Sequence, residues 1–460
     1  MQIEIRTGST WFPVNERVLP MAETNRTFSE EPLSMTVWIL KDAEPLPLKP
    51  GQRALRAGLL AQELGRRGHQ VVWWSSTFSH HHKKFIFERD TRLQLMPNVT
   101  LLALDVGRYQ RNVSFARLLH HRRLGRRFEG MAPDEPRPDI IVSALPIIDF
   151  PFQAARYASV RGIPLIVDVR DPWPDVFADK SPALLRPLVR WLTLTVRRQA
   201  AHSLRSAVAV TAVSKGFLRW ALGLAGRSQG PQDRVFYLGH SGFTPAMQES
   251  PLPAGMGAAL HGRLVFTFVG TFGHSYEVEL IAKAAQHFHA SRPDVAFVLV
   301  GDGHQRVGIE QRYAGLKNLI LTGWLDTKDI ATILSKSHVG LVSCRHIANT
   351  VPNKPFEYLA AGLPLLSSIE GEMAEIIETN GLGLSYRAGD LDGFIQAVDR
   401  IAHDRPALAR WSANAAKAFR EKFNANRIYP DFASHVDLMH ELSRRGRAER
   451  DYHRLLTTDC

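Results

Sequence analysis

The residues with the clearest chemical potential lie in one segment, residues 349–368, which reads NTVPNKPFEYLAAGLPLLSS. Asn353 is a residue type that caps helices, so the segment predicts a helix that starts at Lys354. The positive end of this helix and the Lys354 ammonium together predict an anion site. Glu357 shares the face of Lys354 and suits the hydroxyls of a ribose. The alternative is a surface helix with a Lys–Glu pair at i,i+3.

Glycines follow several predicted strands in the same half of the chain. The strands are predicted at 264–269, 296–300 and 319–322, and the glycines after them are Gly270, Gly301, Gly303 and Gly323. The carboxyl ends of parallel strands share one rim of a sheet, where ligands bind in doubly wound folds. Glycine lets backbone approach a ligand closely. Several glycines on one rim therefore predict a binding site.

Candidate residues in the first half of the chain also follow a strand, predicted at 165–168. Asp168 favours a buried ion pair, whereas Arg170 and Asp171 lie where a site is expected and Trp173 suits a sugar platform. An incoming hydroxyl needs a base, and the candidates are His80, His81, His82, Asp149 and Asp171. The three consecutive histidines cannot all face one metal ion, so they predict a loop and no metal site.

Strand and helix signals alternate along the chain, which predicts α/β units with parallel sheets. A stretch rich in Gly and Pro, residues 228–263, separates two such runs. The predicted organisation is a loosely held N-terminal extension (1–34), a first domain (35–240), a linker (241–262), a second domain (263–424), and a final helix with a frayed basic tail (425–460). Two doubly wound domains joined in this way predict a cleft between them.

Composition limits the classes of function. The 460 residues carry a net charge of +12 and only two cysteines, which predicts an anionic partner and a reducing compartment. No apolar run is long enough for a spanning helix. Seven arginines and no acid occupy the stretch Arg108, Arg111, Arg117, Arg122, Arg123, Arg126, Arg127. A helix from Arg117 to Arg127 predicts either contact with an anionic membrane surface or a solvated basic face, and no nucleic-acid recognition motif is present.

The segment KPFEYLAAGLPLLSS resembles the donor-binding signature of retaining GT-B-fold glycosyltransferases of the group-four type. The stretches GTFGHSYEVELIAKAA, LVGDGHQ and GWLDTKDIATILSKSHVGLV resemble other parts of the donor domain, and PGQRALRAGLLAQELGRRGHQVVWWSS resembles the start of the acceptor domain. DVRDPWPD and SSTFSHHHK resemble N-acetylfucosamine transferases of bacterial surface-polysaccharide synthesis. The resemblance covers roughly residues 35–425.

This resemblance implies an α/β GT-B fold: two Rossmann-like domains facing across a cleft, with the final helix crossing back to the first domain. It implies transfer of a hexosyl or N-acetylhexosaminyl group from a nucleotide sugar, with UDP favoured, to a glycan or lipid-linked glycan. It further implies retention of configuration, no bound metal or cofactor, and a cytoplasmic protein at the inner face of the membrane.

The resemblance also assigns roles to residues. Glu357 holds the ribose, and Gly323, Trp324 and Leu325 cradle the base. The sugar diphosphate faces the loop Gly270, Thr271, Phe272, Gly273, His274. Lys354, Asn353 and the backbone near Val351 are expected to take over the contacts of the missing first glutamate. From their position after Gly51, and not from the resemblance, Arg53 and Arg56 are expected to reach the donor phosphates across the cleft. By residue type and position, Asp171, His274 and Lys354 are the candidate catalytic residues, and His80, Asp149, Arg170 and Trp173 are on the acceptor side.

One departure keeps other functions open. Where the family commonly has a first glutamate, eight positions before the second, this chain has Asn349. Basic residues are also missing close after Gly273, which leaves His274 and Lys354 for the diphosphate. Asn349 keeps an inactive sugar-binding homologue as an alternative. A sugar-nucleotide epimerase is a second alternative because it shares the GT-B architecture, although the FEYLAAG segment fits that family poorly.

Overall fold

The structure, a computed structural model, describes residues 3–7, 10–14, 34–48, 52, 54–111, 114–179, 181–244, 247, 251–252, 255–345 and 350–458. The chain divides into two compact units. The first unit comprises Met1–Val213, Phe217–Phe236 and Tyr429–Cys460, and the second comprises Ser214–Gly216 and Tyr237–Ile428.

The strands of the first unit are β1 Ile3–Thr7, β2 Thr10–Val14, β3 Thr36–Leu40, β4 Gln70–Ser76, β5 Phe78–Ser79, β6 Lys84–Phe85, β7 Thr91–Met96, β8 Val99–Leu104, β9 Ile140–Leu145, β10 Leu165–Val169, β11 Ala209–Ala212 and β12 Arg234–Val235. Its helices are α1 Arg56–Arg66, α2 Phe115–Met131, α3 Asp149–Arg161, α4 Asp175–Asp179, α5 Arg186–Leu192, α6 Leu194–Ser206 and α7 Lys215–Ala225, with 3-10 turns at Ala132–Asp134 and Ala183–Leu185.

Ten strands form one sheet in the order β12-β11-β10-β9-β3-β4-β8-β7-β1-β2. The strands from β12 to β8 are mutually parallel, and β7, β1 and β2 are antiparallel additions at one edge. Strand β9 (IIVSAL) is buried along its whole length, as expected for a parallel strand covered on both faces. This sheet confirms the predicted Rossmann-like first domain, and β7 and β8 are strands that the sequence pattern did not reveal.

The N-terminal residues differ from the prediction of a loosely held extension. Strands β1 and β2 form a hairpin in which Ile3 is opposite Val14. Strand β1 also pairs with β7, where Ile3 is opposite Leu93. The prediction was wrong for these two segments because backbone pairing to an exposed sheet edge needs no distinctive apolar run.

The second unit contains a six-stranded, wholly parallel sheet. Its strands are β13 Leu264–Val269, β14 Val295–Val300, β15 Leu319–Gly323, β16 Val339–Val342, β17 Leu365–Ser367 and β18 Gly383–Ser385, in the order β15-β14-β13-β16-β17-β18. Its helices are α8 Met256–Leu260, α9 Val278–Ser291, α10 Arg306–Arg312, α11 Thr327–Ser335, α12 Asn353–Ala360, α13 Glu372–Asn380, α14 Leu391–His403 and α15 Arg405–Ala418, followed by a π-helical turn at Phe419–Phe423. Helix α8 falls inside the predicted linker.

Apolar clusters cover both faces of this second sheet. Phe266, Phe268 and Phe297 pack into one cluster with α9 and α14. Alternate residues of the same strands, such as Val265 and Val298, pack into another cluster with α12 and α13. A sheet with helices on both faces is the doubly wound arrangement that the alternating pattern predicted.

The last helix, α16 (Ala425–Thr458), leaves the second unit and joins the first from Tyr429 onward. The Phe432 ring stacks on Phe236 with centroids 4.5 Å apart. Arg67 donates to Asp437 at 2.8 Å. These contacts confirm the predicted return to the first domain. The basic C-terminal residues up to Thr458 continue the helix, so the prediction of a frayed tail was wrong there.

None of the described helices combines the length and the apolar character that crossing a membrane requires.

Candidate functional site

The predicted donor residues gather at the carboxyl edge of the second sheet. Strands β13 and β14 are parallel neighbours, and they end at Val269 and Val300, directly before Gly270 and Gly301. The N–H of Gly270 donates to the carbonyl of Val300 at 2.8 Å, and the N–H of Gly301 donates to that of Gly323 at 2.9 Å. The turns after β13, β14 and β15 are therefore joined to one another by backbone hydrogen bonds.

Glycine is required at these turns because the backbones touch. Gly301 has φ +139° and Gly303 has φ +155°, in the region that side chains rarely adopt. A Cβ atom at Gly303 would lie 2.7 Å from the carbonyl oxygen of Phe272, and a Cβ atom at Gly301 would overlap the carbonyl oxygen of Gly270. The glycines thus serve to bring two loops together. The N–H of Gly301 donates to the carbonyl of Gly323, and the N–H of Gly303 donates to the Asp302 carboxylate at 2.7 Å.

Lys354 lies beside this edge, in the first turn of α12. Its ammonium group donates to the carbonyl of Val269. It also lies 5.5 Å from the ring centroid of Phe268 and 5.4 Å from that of Tyr276. Burial lowers the pKa of Lys354, and the neighbouring Glu357 carboxylate opposes that shift. The structure therefore brings together the cation, the carboxylate and the glycine loop that the sequence predicted.

The start of α12 differs from the prediction in one residue. Pro352 occupies the N-cap position with extended backbone (φ −72°, ψ 173°), and Asn353 is the first residue of the helix. Asn353 is exposed and its side chain does not cap the helix, because a cap must precede the first helical residue. Val351 is buried before the turn. The predicted capping role of Asn353 was wrong, whereas the predicted end of the helix before Gly362 was confirmed.

Trp324 follows β15 directly and 65% of its side chain is exposed, an unusual fraction for the largest apolar residue. Leu325 is partly buried and packs against the cluster that contains α12. An exposed indole at a strand end offers a flat surface on which the base of a nucleotide can stack. The resemblance implied this role for the position.

Two imidazoles meet on the outer side of the glycine loops. His274 and His304 are both exposed, and their ring centroids lie 3.8 Å apart. The side-chain amide of Gln305 donates to the carbonyl of Gly273 at 2.7 Å and holds the same two loops together. His304 was not among the predicted site residues. Its position directly after Gly303 in LVGDGHQ was the signal that could have identified it.

Arg306 is a second residue that sequence reasoning missed. Its guanidinium donates to Asp302 at 3.3 Å and to Glu310 at 2.6 Å. A Cβ atom at Gly323 would lie 2.7 Å from Arg306 Nη1. The arginine is therefore held against the turn after β15 by two carboxylates.

In the first unit, Asp168 near the end of β10 is the centre of a buried ionic network. Asp168 accepts two hydrogen bonds from Arg56 at 2.7 and 2.8 Å, one from Arg170 at 3.1 Å and one from Thr211 at 2.8 Å. Arg56 is 2% exposed and also donates to the carbonyl of Phe236. The prediction of a buried ion pair at Asp168 was confirmed, and the suggestion that Arg56 reaches donor phosphates was wrong.

Arg170 has a second partner, Glu44, which sequence reasoning missed. One oxygen of Glu44 accepts from Arg170. The other oxygen accepts from the backbone N–H groups of Ala57 and Gly58, at 2.9 and 3.2 Å, in the first turn of α1. Glu44 therefore fixes both the start of α1 and the predicted acceptor-side residue Arg170.

Asp42 and His120 form another buried pair at the same edge of the sheet. Asp42 Oδ2 lies 3.2 Å from His120 Nε2, and Asp42 Oδ1 accepts from the Ser76 hydroxyl at 2.7 Å. His120 Nδ1 lies 2.9 Å from the carbonyl of Gly107. Both imidazole nitrogens therefore face oxygen atoms that can accept hydrogen bonds. Hydrogen bonds from His120 and Ser76 hold the pKa of Asp42 below its usual range against the effect of burial.

Lys41 precedes Asp42 and is also buried. Burial lowers the pKa of Lys41 to about 8, and Arg170 acts in the same direction. Asp171, the predicted base, is exposed and its charge acts on Lys41. Asp171 thus lies at the same edge as the Lys41 and Arg170 cations, and its catalytic role stays a prediction.

Two more predicted acceptor-side residues, His80 and Trp173, lie near Arg117. Its guanidinium lies 4.7 Å from the ring centroid of Trp173 and 5.8 Å from that of Tyr109. His80 Nδ1 lies 2.6 Å from the Tyr109 hydroxyl, and burial lowers the pKa of His80 to about 4. The structure therefore brings Trp173 directly to Arg117 and links His80 to the same arginine through Tyr109. The three histidines lie in the turn between β5 and β6, which confirms the predicted loop.

Asp149 is the first residue of α3 and packs against Gly125 of α2. Burial raises its pKa, while Arg122 and Arg126 oppose that shift. These arginines belong to the basic face of α2, so Asp149 contacts a different group of residues from His80 and Trp173.

Three predicted residues, Gly51, Arg53 and Asn349, lie outside the described residues. Within the described ranges, no group of three or more histidine, cysteine or carboxylate side chains is arranged to hold a metal ion.

Comparison with known families assigns both halves of the chain. Residues 54–239 match the Glycosyl transferase 4-like domain, and residues 263–404 match the family Glycosyl transferases group 1. The chain therefore combines two glycosyltransferase domains, and the two doubly wound units define a GT-B fold.

Individual relatives are distant. The 2-deoxystreptamine N-acetyl-D-glucosaminyltransferase of Niallia circulans is 21% identical over 187 residues, which are 40% of this chain and 48% of that protein. The alignment thus spans about half the length of this curated relative.

Solved structures share the fold across most of the chain. Sucrose-phosphate synthase of Thermosynechococcus elongatus aligns with a TM-score of 0.62 and 16% identity, over 90% of this chain and 100% of that structure. Anabaena HepE in complex with UDP-glucose aligns with a TM-score of 0.58 and 15% identity, over 87% of this chain and 98% of that structure. These likenesses confirm the predicted GT-B fold.

Proposed function

We propose that this chain transfers a sugar from a UDP-linked donor to a glycan or lipid-linked glycan, as in bacterial surface-polysaccharide synthesis, with retention of configuration. The observation that carries the proposal is the convergence of Lys354, Glu357 and the glycine loops at the carboxyl edge of the second sheet. The match of residues 263–404 to the family Glycosyl transferases group 1 supports the proposal, because this edge lies within those residues.

The donor diphosphate is expected to lie along the loop after β13. The N–H groups of Gly270 and Phe272 are used by the carbonyls of Val300 and Asp302, so they support the loop and do not bind the donor. Charge that develops on the leaving diphosphate would be stabilised by the Lys354 ammonium and by the imidazoles of His274 and His304. The proposed chemistry needs no strong acid, because the leaving nucleotide departs as an anion.

The nucleoside is assigned to Glu357 and Trp324. Glu357 is partly buried in the helix that also carries Lys354, where its carboxylate can accept from ribose hydroxyls. Trp324 offers an exposed ring for the base. Support for UDP comes from the Anabaena relative, whose structure was solved with UDP-glucose.

Acceptor binding is assigned to the first unit, where Lys41, Arg117, Arg170 and Trp173 lie at the carboxyl edge of its sheet. Cations at such an edge suit an acceptor that carries phosphate, and the indole suits a sugar ring. Asp171 is the proposed acceptor for the proton of the incoming hydroxyl.

Nucleotide binding tests the donor site directly. Thermal unfolding of the full chain is measured with UDP, GDP, ADP, TDP and CMP, for the wild type, Glu357→Ala and the control Glu378→Ala, whose side chain is exposed on α13. Occupancy at one hundred times the Kd adds about 2.7 kcal/mol to the free energy of unfolding. Stabilisation by UDP that Glu357→Ala loses and Glu378→Ala keeps supports the proposal. No stabilisation by any nucleotide refutes the donor site and favours an inactive homologue.

Transfer is tested separately, with a panel of UDP-sugars and detection of released UDP and of the extended acceptor. The anomeric configuration of the product, read by NMR, distinguishes retention from inversion. A UDP-sugar that is converted to its epimer, with no UDP released, would favour the epimerase alternative.

A further inference from the structure

Helix α5 and the residues that flank it present an apolar surface that is exposed in the described part of the chain. None of the residues of α5 is buried, and neither is any residue of the 3-10 turn Ala183–Leu185 before it. Six of the fourteen exposed large apolar side chains in the described part of the chain fall between positions 184 and 194. They form the α5 patch: Leu184 (94% exposed), Leu185 (49%), Leu188 (52%), Trp191 (67%), Leu192 (64%) and Leu194 (38%).

The surroundings of the α5 patch are positively charged. No aspartate or glutamate occurs from residue 180 to residue 232. Arg186, Arg190 and Arg198 are exposed within or beside the patch. The neighbouring helix α4 carries two acids: Asp179, which is exposed, and Asp175, whose carboxylate is already bonded to Arg197 at 3.0 Å and to the Trp220 indole at 3.0 Å. The patch therefore combines a large apolar area with a net positive charge.

These two properties decide between the possible occupants. A second copy of this chain, joined by a twofold axis through the patch, would place Arg186 and Arg190 against the same arginines with no acid in the segment to pair them. A bilayer that contains anionic lipids offers acyl chains to the leucines, an interface for the indole of Trp191 and phosphates for the arginines.

Helix α2, the other basic segment, has a different arrangement. It directs Leu124, Phe128 and Met131 into the core of the first unit. Only Phe115 and Leu118 remain as exposed large apolar side chains on this helix. Its basic face can attract an anionic surface, but most of its apolar side is occupied by packing within the protein.

We propose that the α5 patch docks the protein on an anionic membrane surface, with Leu188 and Trp191 inserted at the level of the lipid headgroups and the arginines in contact with lipid phosphates. This inference does not depend on donor binding or on sugar transfer, so the two proposals fail separately.

Vesicle flotation of the full chain tests the docking. Vesicles of phosphatidylcholine alone are compared with vesicles that also contain phosphatidylglycerol, at low and high salt. Binding is expected on the anionic vesicles and to weaken with salt. The double variant Leu188→Ser/Trp191→Ser should bind the vesicles at least about tenfold more weakly. Each apolar side chain that moves from water into the bilayer contributes substantially to the free energy of binding. Val160→Ser removes a more exposed apolar side chain (83%) from α3, outside the patch, and should bind as the wild type does.

A charge variant and a measurement of mass complete the test. Arg186→Gln/Arg190→Gln should weaken binding to anionic vesicles and reduce its salt dependence, without changing the thermal stabilisation by UDP. Equal flotation of the wild type and Leu188→Ser/Trp191→Ser would overturn the proposal. So would light scattering that shows a dimer without vesicles and a monomer for the same double variant, because the patch would then be an interface between copies.

Discussion

The ammonium of Lys354 occupies the space that a side chain at Gly270 would need. A Cβ atom built on Gly270 overlaps Lys354 Nζ, and Gly270 itself has φ +155°. Lys354 in turn donates to the carbonyl of Val269, the residue before this glycine. The cation at the start of α12 and the turn after β13 are therefore one unit of structure, although 84 positions separate them in the sequence numbering (354 minus 270).

Gly270→Ala should displace Lys354 and weaken UDP binding by at least about tenfold, the equivalent of about 1.4 kcal/mol. The reason is both steric overlap and the positive φ, which alanine adopts with strain. Isothermal titration measures the Kd, and circular dichroism checks that the fold is retained. Gly308→Ala is the matched control, because a Cβ atom there meets no atom within 4 Å. Unchanged affinity in Gly270→Ala would mean that Lys354 does not contact the nucleotide.

Trp324→Ala should weaken UDP binding by loss of base stacking, worth about 1–3 kcal/mol for an aromatic ring under a base. Titration with UDP and with inorganic diphosphate separates the base from the phosphates. Only the affinity for UDP should fall. Trp191→Ala provides a cross-control, since that exposed tryptophan belongs to the α5 patch and should change vesicle binding alone. A Kd for UDP that Trp324→Ala leaves unchanged would remove the tryptophan from the base site.

The alternating pattern of the sequence predicted most of the fold because buried parallel strands carry strong local signals. The runs LVFTFV and VAFVLV became β13 and β14 with little change in their bounds. The hairpin β1–β2 and its pairing with β7 were missed, since edge strands are held by backbone contacts that leave only a weak trace in composition.

Residues of the candidate site were predicted from sequence where they lie in one short segment, as Lys354 does, or in one type of turn, as Gly303 does. It was missed where the partners are distant in sequence. Asp42 meets His120, and Glu44 meets Arg170, across separations of 78 and 126 positions that no spacing rule connects. The available signal was position: Lys41, Asp42 and Glu44 directly follow the strand β3, at the edge where sites form.

Removal of one partner of the buried pair Arg56–Asp168 should destabilise the first unit strongly. Both side chains are almost fully buried, at 1% and 3% exposure. Asp168→Asn and Arg56→Ala should each lower the free energy of unfolding by roughly 3–5 kcal/mol, because an uncompensated charge remains inside. Denaturant unfolding measures this loss. Arg197→Ala removes one partner of the more exposed pair with Asp175 and should cost under about 1 kcal/mol. Equal effects of the two arginine variants would contradict the buried network.

The pH dependence of stability should carry a contribution from His121. Burial, reinforced by Arg117, lowers the pKa of His121 from 6.5 to about 3. The unfolded chain therefore binds a proton near pH 6.5 that the folded chain refuses until about pH 3, so stability falls as the pH decreases through this window. One such proton changes the free energy of unfolding by about 1.4 kcal/mol per pH unit within this window. Denaturant unfolding of His121→Gln between these limits should show that slope reduced, whereas His202→Gln, at an exposed position, should keep it.

Truncation before Asn426 should unfold or inactivate the protein, because the first unit is completed by the end of the chain. Phe432 stacks on Phe236, Asp437 binds Arg67, and Asp437 Oδ1 lies 3.0 Å from His69. A chain that ends after residue 424 loses all of these contacts, whereas a chain that ends after residue 447 keeps them and is the matched control. Phe432→Ala tests the same packing without truncation and should cost about 3–5 kcal/mol. Thermal unfolding and UDP-sugar turnover of the three variants are compared with the wild type. A fully stable, active chain that ends at 424 would show that α16 does not support the first unit.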